Sequence, residues 1–341
     1  MNGATIRDVA RAADVSVATV SRTLNGIDSV ALETRDRVLR VVGELDYVPN
    51  SGARALSTRR TDTIGVLLPD LHGEFFSELI RGIDLAARAQ GLHLLLSSSH
   101  GDPAEAAAAL RAMRSRVDSI ILMLPDASED LLAGAGAGMA SVPMIFLGRG
   151  AAGGTHCSLA IDNYAGAFAI TEHLIATGRK RVVFVAGPAD NADAGERLRG
   201  YRSSMRRSGL ADCVLDGDFS EQAGRDAVKR ILSGRRPDAL FCANDMMAIG
   251  ALEALKESGI AVPGEIALAG FDDIPIARYV SPPLTTAAVP IAEIGRQALE
   301  CCAGIIAGRP TNQQRTFKPE LVVRASTQNI ENDRIQKGNE P

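Results

Sequence analysis

The 341-residue sequence contains no apolar run near the roughly eighteen residues a spanning helix needs, and it opens as a capped polar helix, not a basic-plus-apolar leader. A cytoplasmic protein with no membrane partner is expected. Its five cysteines, Cys157, Cys213, Cys242, Cys301 and Cys302, show no CxxC spacing, which suits a reducing compartment and structural roles. Its five histidines are equally scattered, so no metal site is expected. A Gly-rich phosphate loop, a nucleophile elbow and a paired base and nucleophile are all lacking. The glycines at 134–138 and 148–154 form small-residue loops without dinucleotide spacing. Neither catalytic residues nor a cofactor are expected.

Lysine is missing from residues 1–60, which carry nine arginines against seven acids, whereas the remainder is net −6 and the whole chain −4. Such an asymmetry permits a nucleic-acid-facing head on an acidic body without establishing one. The length exceeds one ordinary core, so two or three domains are expected.

In the head, Thr5-Ile6-Arg7-Asp8 sets a hydroxyl at a helix start and a carboxylate three positions later, with Ile6, Val9, Ala10 and Ala13 at helical spacing. That helix stops near Asp14. Ser16 caps a second one, in which Val17, Val20, Ser21 and Leu24 alternate with outward Ala18, Thr19 and Arg22 before Asn25-Gly26 ends it. A third, from about Leu32 to Asp46, buries Val38, Val41, Val42 and Leu45 and shows Arg35, Arg37 and Arg40 outward. Two short helices joined by a tight turn and buttressed by a third make a helix-turn-helix, whose second helix fits the major groove; a small helical bundle that binds protein has the same spacing.

The wording of these segments, Thr5-Ile6-Arg7-Asp8-Val9-Ala10, then Val15 to Asn25 (VSVATVSRTLN), then Tyr47-Val48-Pro49-Asn50, resembles the LacI/GalR family of transcription regulators, and the likeness runs along essentially the whole chain. The resemblance implies that Val17 and Ala18 discriminate operator bases and that Arg22 reaches into the groove. The chemistry agrees, since arginine can fork onto guanine O6 and N7 while Val and Ala offer only apolar contact, for example to a thymine methyl. Packing within the head is the other reading of Val17. Thr5, Ser16, Thr19, Ser21 and Asn25 carry groups suited to phosphate contacts, although capping explains Thr5 and Ser16 equally well.

After Pro49-Asn50 comes Ser51-Gly52-Ala53-Arg54-Ala55-Leu56-Ser57, too short for a stable isolated helix. In the resembled family this segment, about 50–58, becomes a hinge helix in the minor groove beside its dimer mate. Leu56 then matches a wedge in the central base step, Arg54 serves phosphates, and Ala53 lets the two helices approach. An ordinary linker is the alternative. Gly52 lowers helicity, and Asp46 stands where the family usually has a left-handed glycine.

From Thr63 onward, apolar runs alternate with amphipathic stretches: 64–68, 93–96, 119–124 and 144–147, then 182–185, 213–215, 239–242 and 266–269, with helices between them. These read as buried parallel strands in an α/β fold of two doubly wound lobes, the plan of periplasmic-type sugar-binding proteins. The resemblance implies three crossings between lobes. It places lobe 1 at about 61–161 and 291–320, lobe 2 at about 162–290 and 321–330, and leaves 331–341 as a disordered tail.

Loops at strand ends supply the effector-pocket candidates. Arg197 matches the family arginine that hydrogen-bonds effector, and a forked donor suits paired hydroxyls or a carboxylate. Asn244 and Asp272 each follow a strand and can serve vicinal hydroxyls, while Asp245 reads either as such a group or as a helix cap. Phe219 and Phe76 match aromatic positions that pack on ligand. Departures also appear: Phe146-Leu147-Gly148-Arg149 lacks the Asp that many relatives have, Ala287-Ala288-Val289 lacks their Gln, and His72-Gly73-Glu74 replaces their Asn-Pro. Arg149 leaves an acidic sugar open as guest.

The expected function is a transcriptional regulator, a repressor, binding palindromic double-stranded operator DNA as a homodimer or tetramer under control of a sugar-like small molecule. The alternative is a sugar-binding receptor without catalytic activity.

Overall fold

The computed structural model describes residues 4–24, 30–47, 60–124, 142–148, 157–234, 236–309 and 314–328. The chain divides into two compact units, residues 1–61 and 62–341.

In the first unit α1 (Ile6–Ala12), α2 (Val17–Leu24) and α3 (Leu32–Glu44) close around Val9, Ala10, Ala13, Val20, Val38 and Val41. The Asp8 carboxylate accepts from the Thr5 amide at 3.0 Å and the Thr5 hydroxyl at 2.6 Å, so it fixes the start of α1. Those bonds hold its pKa below the usual carboxylate value. Ser16 Oγ accepts from the Thr19 amide at 3.1 Å and starts α2. The inward face of α2 differs from the expected one. Val20 and Thr23 are buried, Ser21 and Leu24 are half-buried, and Val17 is 41% exposed. Leu45, expected inside, is 37% exposed because α3 has already ended at Glu44.

That ending relies on Asp46, whose φ of +46° lets Tyr47 N–H return to Val42 O at 3.0 Å. A left-handed conformation crowds the Cβ of an L-residue, which glycine lacks. Asp46→Gly is therefore expected to stabilise the head by up to about 1 kcal/mol, read as a higher urea midpoint of a 1–61 fragment or of the head transition in the full chain. A lowered midpoint would reject this account of the turn.

The second unit holds two parallel sheets. The first lobe's sheet has the order β11-β5-β4-β3-β1-β2, built from β1 (Thr63–Leu68), β2 (His93–Ser98), β3 (Ser119–Leu122), β4 (Met144–Leu147), β5 (Cys157–Ile161) and β11 (Gln314–Phe317). The second lobe's sheet has the order β7-β6-β8-β9, from β6 (Val182–Val185), β7 (Cys213–Leu215), β8 (Ala239–Cys242) and β9 (Ala267–Ala269). Central strands such as β3, β4, β6 and β8 are buried throughout, as their continuous apolar runs require of a sheet covered on both faces.

The chain leaves the first lobe at Asp162, comes back through Val289-Pro290, and goes out again after Phe317. Two of these crossings run side by side, with Asp162 N–H donating to Phe317 O at 2.8 Å. Beside them β10 (Thr286–Ala288) pairs antiparallel with β12 (Glu320–Val322). On the first lobe α4 (Glu74–Ala89) and α10 (Ile291–Ile306) meet backbone to backbone. A Cβ on Gly82 would lie 2.0 Å from Ala292 O, and one on Gly295 would lie 2.4 Å from Leu79 O. Among the described residues no helix is long and apolar enough to cross a membrane.

Candidate functional site

On α2 of the head, Val17, Ala18 and Arg22 are exposed, Thr19 is half-buried, and Ser16 spends its hydroxyl on the helix start and on Thr19 Oγ1 at 2.9 Å. Thr5 is likewise engaged in capping α1. Asn25, Asn50, Ala53, Arg54 and Leu56, and Arg149 of the body, lie outside the described residues.

In the second lobe the helix starts converge on the strand ends. Asn191 Oδ1 accepts from Ala194 N at 2.9 Å, opening α7 (Ala192–Arg207); Ser220 Oγ accepts from Ala223 N at 3.1 Å, opening α8 (Glu221–Leu232). Asn244 Oδ1 accepts from Met247 N at 3.0 Å, opening α9 (Asp245–Glu257). Crevices at the carboxyl ends of parallel strands, ringed by helix N-termini, are where doubly wound folds hold polar guests.

Arg197 lies one and a half turns into α7 and is only 5% exposed. Its Nε donates to Asn163 Oδ1 at 2.8 Å, its Nη1 donates to Ala243 O at 2.5 Å, and its Nη2 stands 3.1 Å from Asp272 Oδ1. The Asp272 contact is an ion pair, not an aligned hydrogen bond. The guanidinium also lies 3.9 Å from the Phe271 ring centre and 5.8 Å from that of Phe219. Two of its five donors are thus spent in hydrogen bonds inside the protein and a further nitrogen faces the Asp272 carboxylate, so Arg197 is a scaffold of the crevice as well as a candidate to meet a guest.

Phe219 is held in a left-handed conformation, φ +71°, over Gly187, where any Cβ would lie 2.4 Å from its ring. Its carbonyl accepts from Asn244 Nδ2 at 3.0 Å. Asn244 therefore fixes a helix start and an aromatic loop with one amide. Asp272, also left-handed at φ +110°, is 4% exposed, and burial pushes its pKa up to about 6, against the pull of Arg197 and with the help of Asp193.

Asp245 is neither helix cap nor open ligand group. It is fully buried, accepting from Thr286 Oγ1 at 2.7 Å and from Ile274 N at 3.0 Å, and burial, then Asp272, drives its pKa well up. It pins the loop that carries Asp272 to β10, at the crossing.

The structure thus unites Arg197, Phe219, Asn244 and Asp272. Phe76 stands apart on the first turn of α4, half-buried and edge-on to Phe75 at 5.5 Å. Two residues before it, Glu74 Oε2 accepts from Ile276 N at 3.0 Å, on the turn (Pro275–Arg278) that follows Asp272 in the other lobe. Where the family resemblance leads one to expect Asn-Pro, Gly73-Glu74 places an acceptor that proline would lack. Asn163 and Phe271 were missed from sequence. Asn163 follows a helix cap and Phe271 precedes Asp272, but nothing in either pattern points toward Arg197.

Residues 5–50 match the model of bacterial regulatory proteins of the lacI family, and residues 171–327 match that of the periplasmic binding protein-like domain. The chain is 36% identical over 333 residues to the HTH-type transcriptional regulator GalR of Escherichia coli strain K12, covering 95% of each. It is 34% identical over 335 residues to the HTH-type transcriptional repressor PurR of Aliivibrio fischeri strain MJ11, covering 96% of this chain and 99% of that one. Among solved structures it matches the Lac repressor dimer bound to operator and the anti-inducer ONPF, with a TM-score of 0.85 and 28% identity over 96% of this chain and 99% of that one. The transcriptional regulator CelR in complex with cellobiose matches with a TM-score of 0.71 and 31% identity over 95% and 99%. With relatives of this identity along nearly its full length, the chain belongs to the lacI family of bacterial regulatory proteins.

Proposed function

We propose that this chain is a transcription repressor that binds a palindromic operator as a homodimer and is controlled by a sugar or sugar derivative held between its lobes. The carrying observation is the outward face of α2. Val17, although apolar, has 41% of its surface free, and it shares that exposure with Ala18 and Arg22. Residues 1–60 form the DNA-binding head with a hinge helix at about 50–58, in which Leu56 is the wedge, and the body gathers the effector. Arg197, Asp272, Phe219 and Asn244 form the second-lobe wall of the pocket, with Phe76 and Arg149 on the first. The relatives are regulators, and one solved neighbour holds cellobiose, which supports a regulator with a sugar-like guest and no catalysis.

The switch works by population shift: the guest favours one arrangement of the lobes, and the paired hinge helices form or melt with it. It changes operator affinity only by its differential affinity for the two arrangements.

The test is selection from a randomised duplex pool with the purified full chain, which is expected to enrich an inverted repeat. Arg22→Ala should then weaken binding to that repeat by roughly 1–3 kcal/mol, or about 5- to 150-fold, while leaving nonspecific binding nearly intact. A pool that enriches nothing, or equal losses on specific and random DNA, would sink the assignment. A thermal-shift screen with sugars and sugar acids then seeks the guest, since a ligand binding only the folded state raises the melting point.

A further inference from the structure

Cys157 opens β5 and Cys301 lies on α10, 144 positions away, yet their sulfur atoms are 3.1 Å apart. Both are buried, at 1% and 7% exposure. Cys302, beside them in sequence, turns to Ser119 on β3 instead, and Cys242 and Cys213 belong to the second lobe. Among the described residues no cluster of His, Cys, Asp and Glu could hold a metal ion, so the pair has no ligation role to explain it.

We propose that Cys157 and Cys301 form a reversible disulfide in response to peroxide, making the first lobe a redox-sensitive body. The bond requires the sulfurs to close from 3.1 Å to about 2.05 Å, a shift of about 1 Å. Cys301 is the attacking thiol. It is the more exposed of the two, and it accepts the S–H hydrogen bond of Cys157, which favours its thiolate. The Cys301 sulfur attacks one peroxide oxygen, the O–O bond breaks, and the departing hydroxide takes a proton to leave as water. Cys301 is then a sulfenic acid. The Cys157 sulfur attacks it, the S–O bond breaks, and the hydroxide leaves with the Cys157 proton as a second water. Two thiols and one hydrogen peroxide thus give one disulfide and two waters, with two electrons passed from sulfur to peroxide. Thiols such as dithiothreitol reverse the reaction by exchange.

The location gives the bond its consequence. β5 runs into the crossing at Asp162, and α10 begins directly after the crossing at Pro290. The disulfide would tie together the two first-lobe elements that lead into the hinge, and α10 is already seated on α4 through Gly82 and Gly295.

The experiment uses the full-length chain carrying Cys213→Ser, because Cys213 is exposed and would form bonds between molecules. Reduced protein is treated with a small excess of hydrogen peroxide, denatured and alkylated with iodoacetamide. The alkylated count is expected to fall from four to two, with a Cys157–Cys301 cross-linked peptide found by mass spectrometry and four thiols recovered after dithiothreitol. Adding Cys302→Ser should leave the two-thiol loss intact, whereas adding Cys301→Ser or Cys157→Ser should abolish it. Folded protein that retains four thiols, or a bond that maps to Cys302 or Cys242, overturns the proposal, and the parent protein's peptide map decides this even where a further variant fails to fold.

Discussion

Arg197→Ala is expected to lower the unfolding free energy by roughly 3–5 kcal/mol, because it strips the partner from a buried carboxylate. Two buried acceptors, the Ala243 carbonyl and the Asn163 amide oxygen, lose a donor, and Asp272 loses its counter-charge, all in a region shielded from solvent. Two aromatic rings lose the cation between them. Arg197→Lys should restore little of this, since one ammonium cannot reach partners laid out for a planar fork. The measurement is urea unfolding of the full chain followed by far-ultraviolet circular dichroism. A change below about 1 kcal/mol, the scale of an ordinary surface pair, would show that these contacts do not support the lobe. A variant that stays folded but no longer responds to guest would separate the effector role from the scaffold role.

Acidification from pH 7 to pH 4 is expected to stabilise the second lobe through Asp272, against the usual trend for carboxylates. The folded pKa is raised from 3.8 to about 6. Below 3.8 both folded and unfolded states carry the proton and the group contributes nothing. Between about 4 and 6 only the folded state holds it, so stability falls as pH rises through this window and is lowest above 6. At about 1.4 kcal/mol per pKa unit, the full swing is on the order of 3 kcal/mol. Asp245 acts in the same sense. Glu293, held down to about 2 by Arg296 and Gln297, acts in the opposite sense, its contribution being lost as pH falls from 4.5 toward 2. Asp272→Asn should therefore remove part of the pH dependence. If melting curves at pH 4.5, 5.5, 6.5 and 7.5 give the same slope for variant and parent, Asp272 is not the titrating group.

Much of the fold was legible in the sequence because it rests on local patterns. The apolar runs at 182–185 and 239–242 and the capping hydroxyls of Thr5 and Ser16 depend only on neighbours in the chain. β5, β10, β11 and β12 were not seen, and β10 and β12 owe their existence to each other across more than thirty positions, not to a local apolar run. The same holds for the crevice. Arg197, Phe219, Asn244 and Asp272 were found by resemblance to family motifs, but Arg197 meets Asn163 thirty-four positions earlier and Ala243 forty-six positions later. Only the inward placement of Val17 on the helical stripe differs from the structure, which leaves it 41% exposed, as the base-reading role implied by the resemblance requires. Helical spacing marks which residues share a face but not where a three-helix packing leaves that face uncovered.

Glu74 carries a quantitative consequence for dose. Its bond to Ile276 joins the two halves at a solvent-washed rim, so breaking it costs only about 1 kcal/mol. In the proposed switch that increment multiplies the ratio of joined to separated forms by about five, and the guest concentration giving a half-maximal response shifts by a comparable factor. A single carboxylate outside the pocket would thus calibrate the sensitivity of the regulator without touching what it recognises.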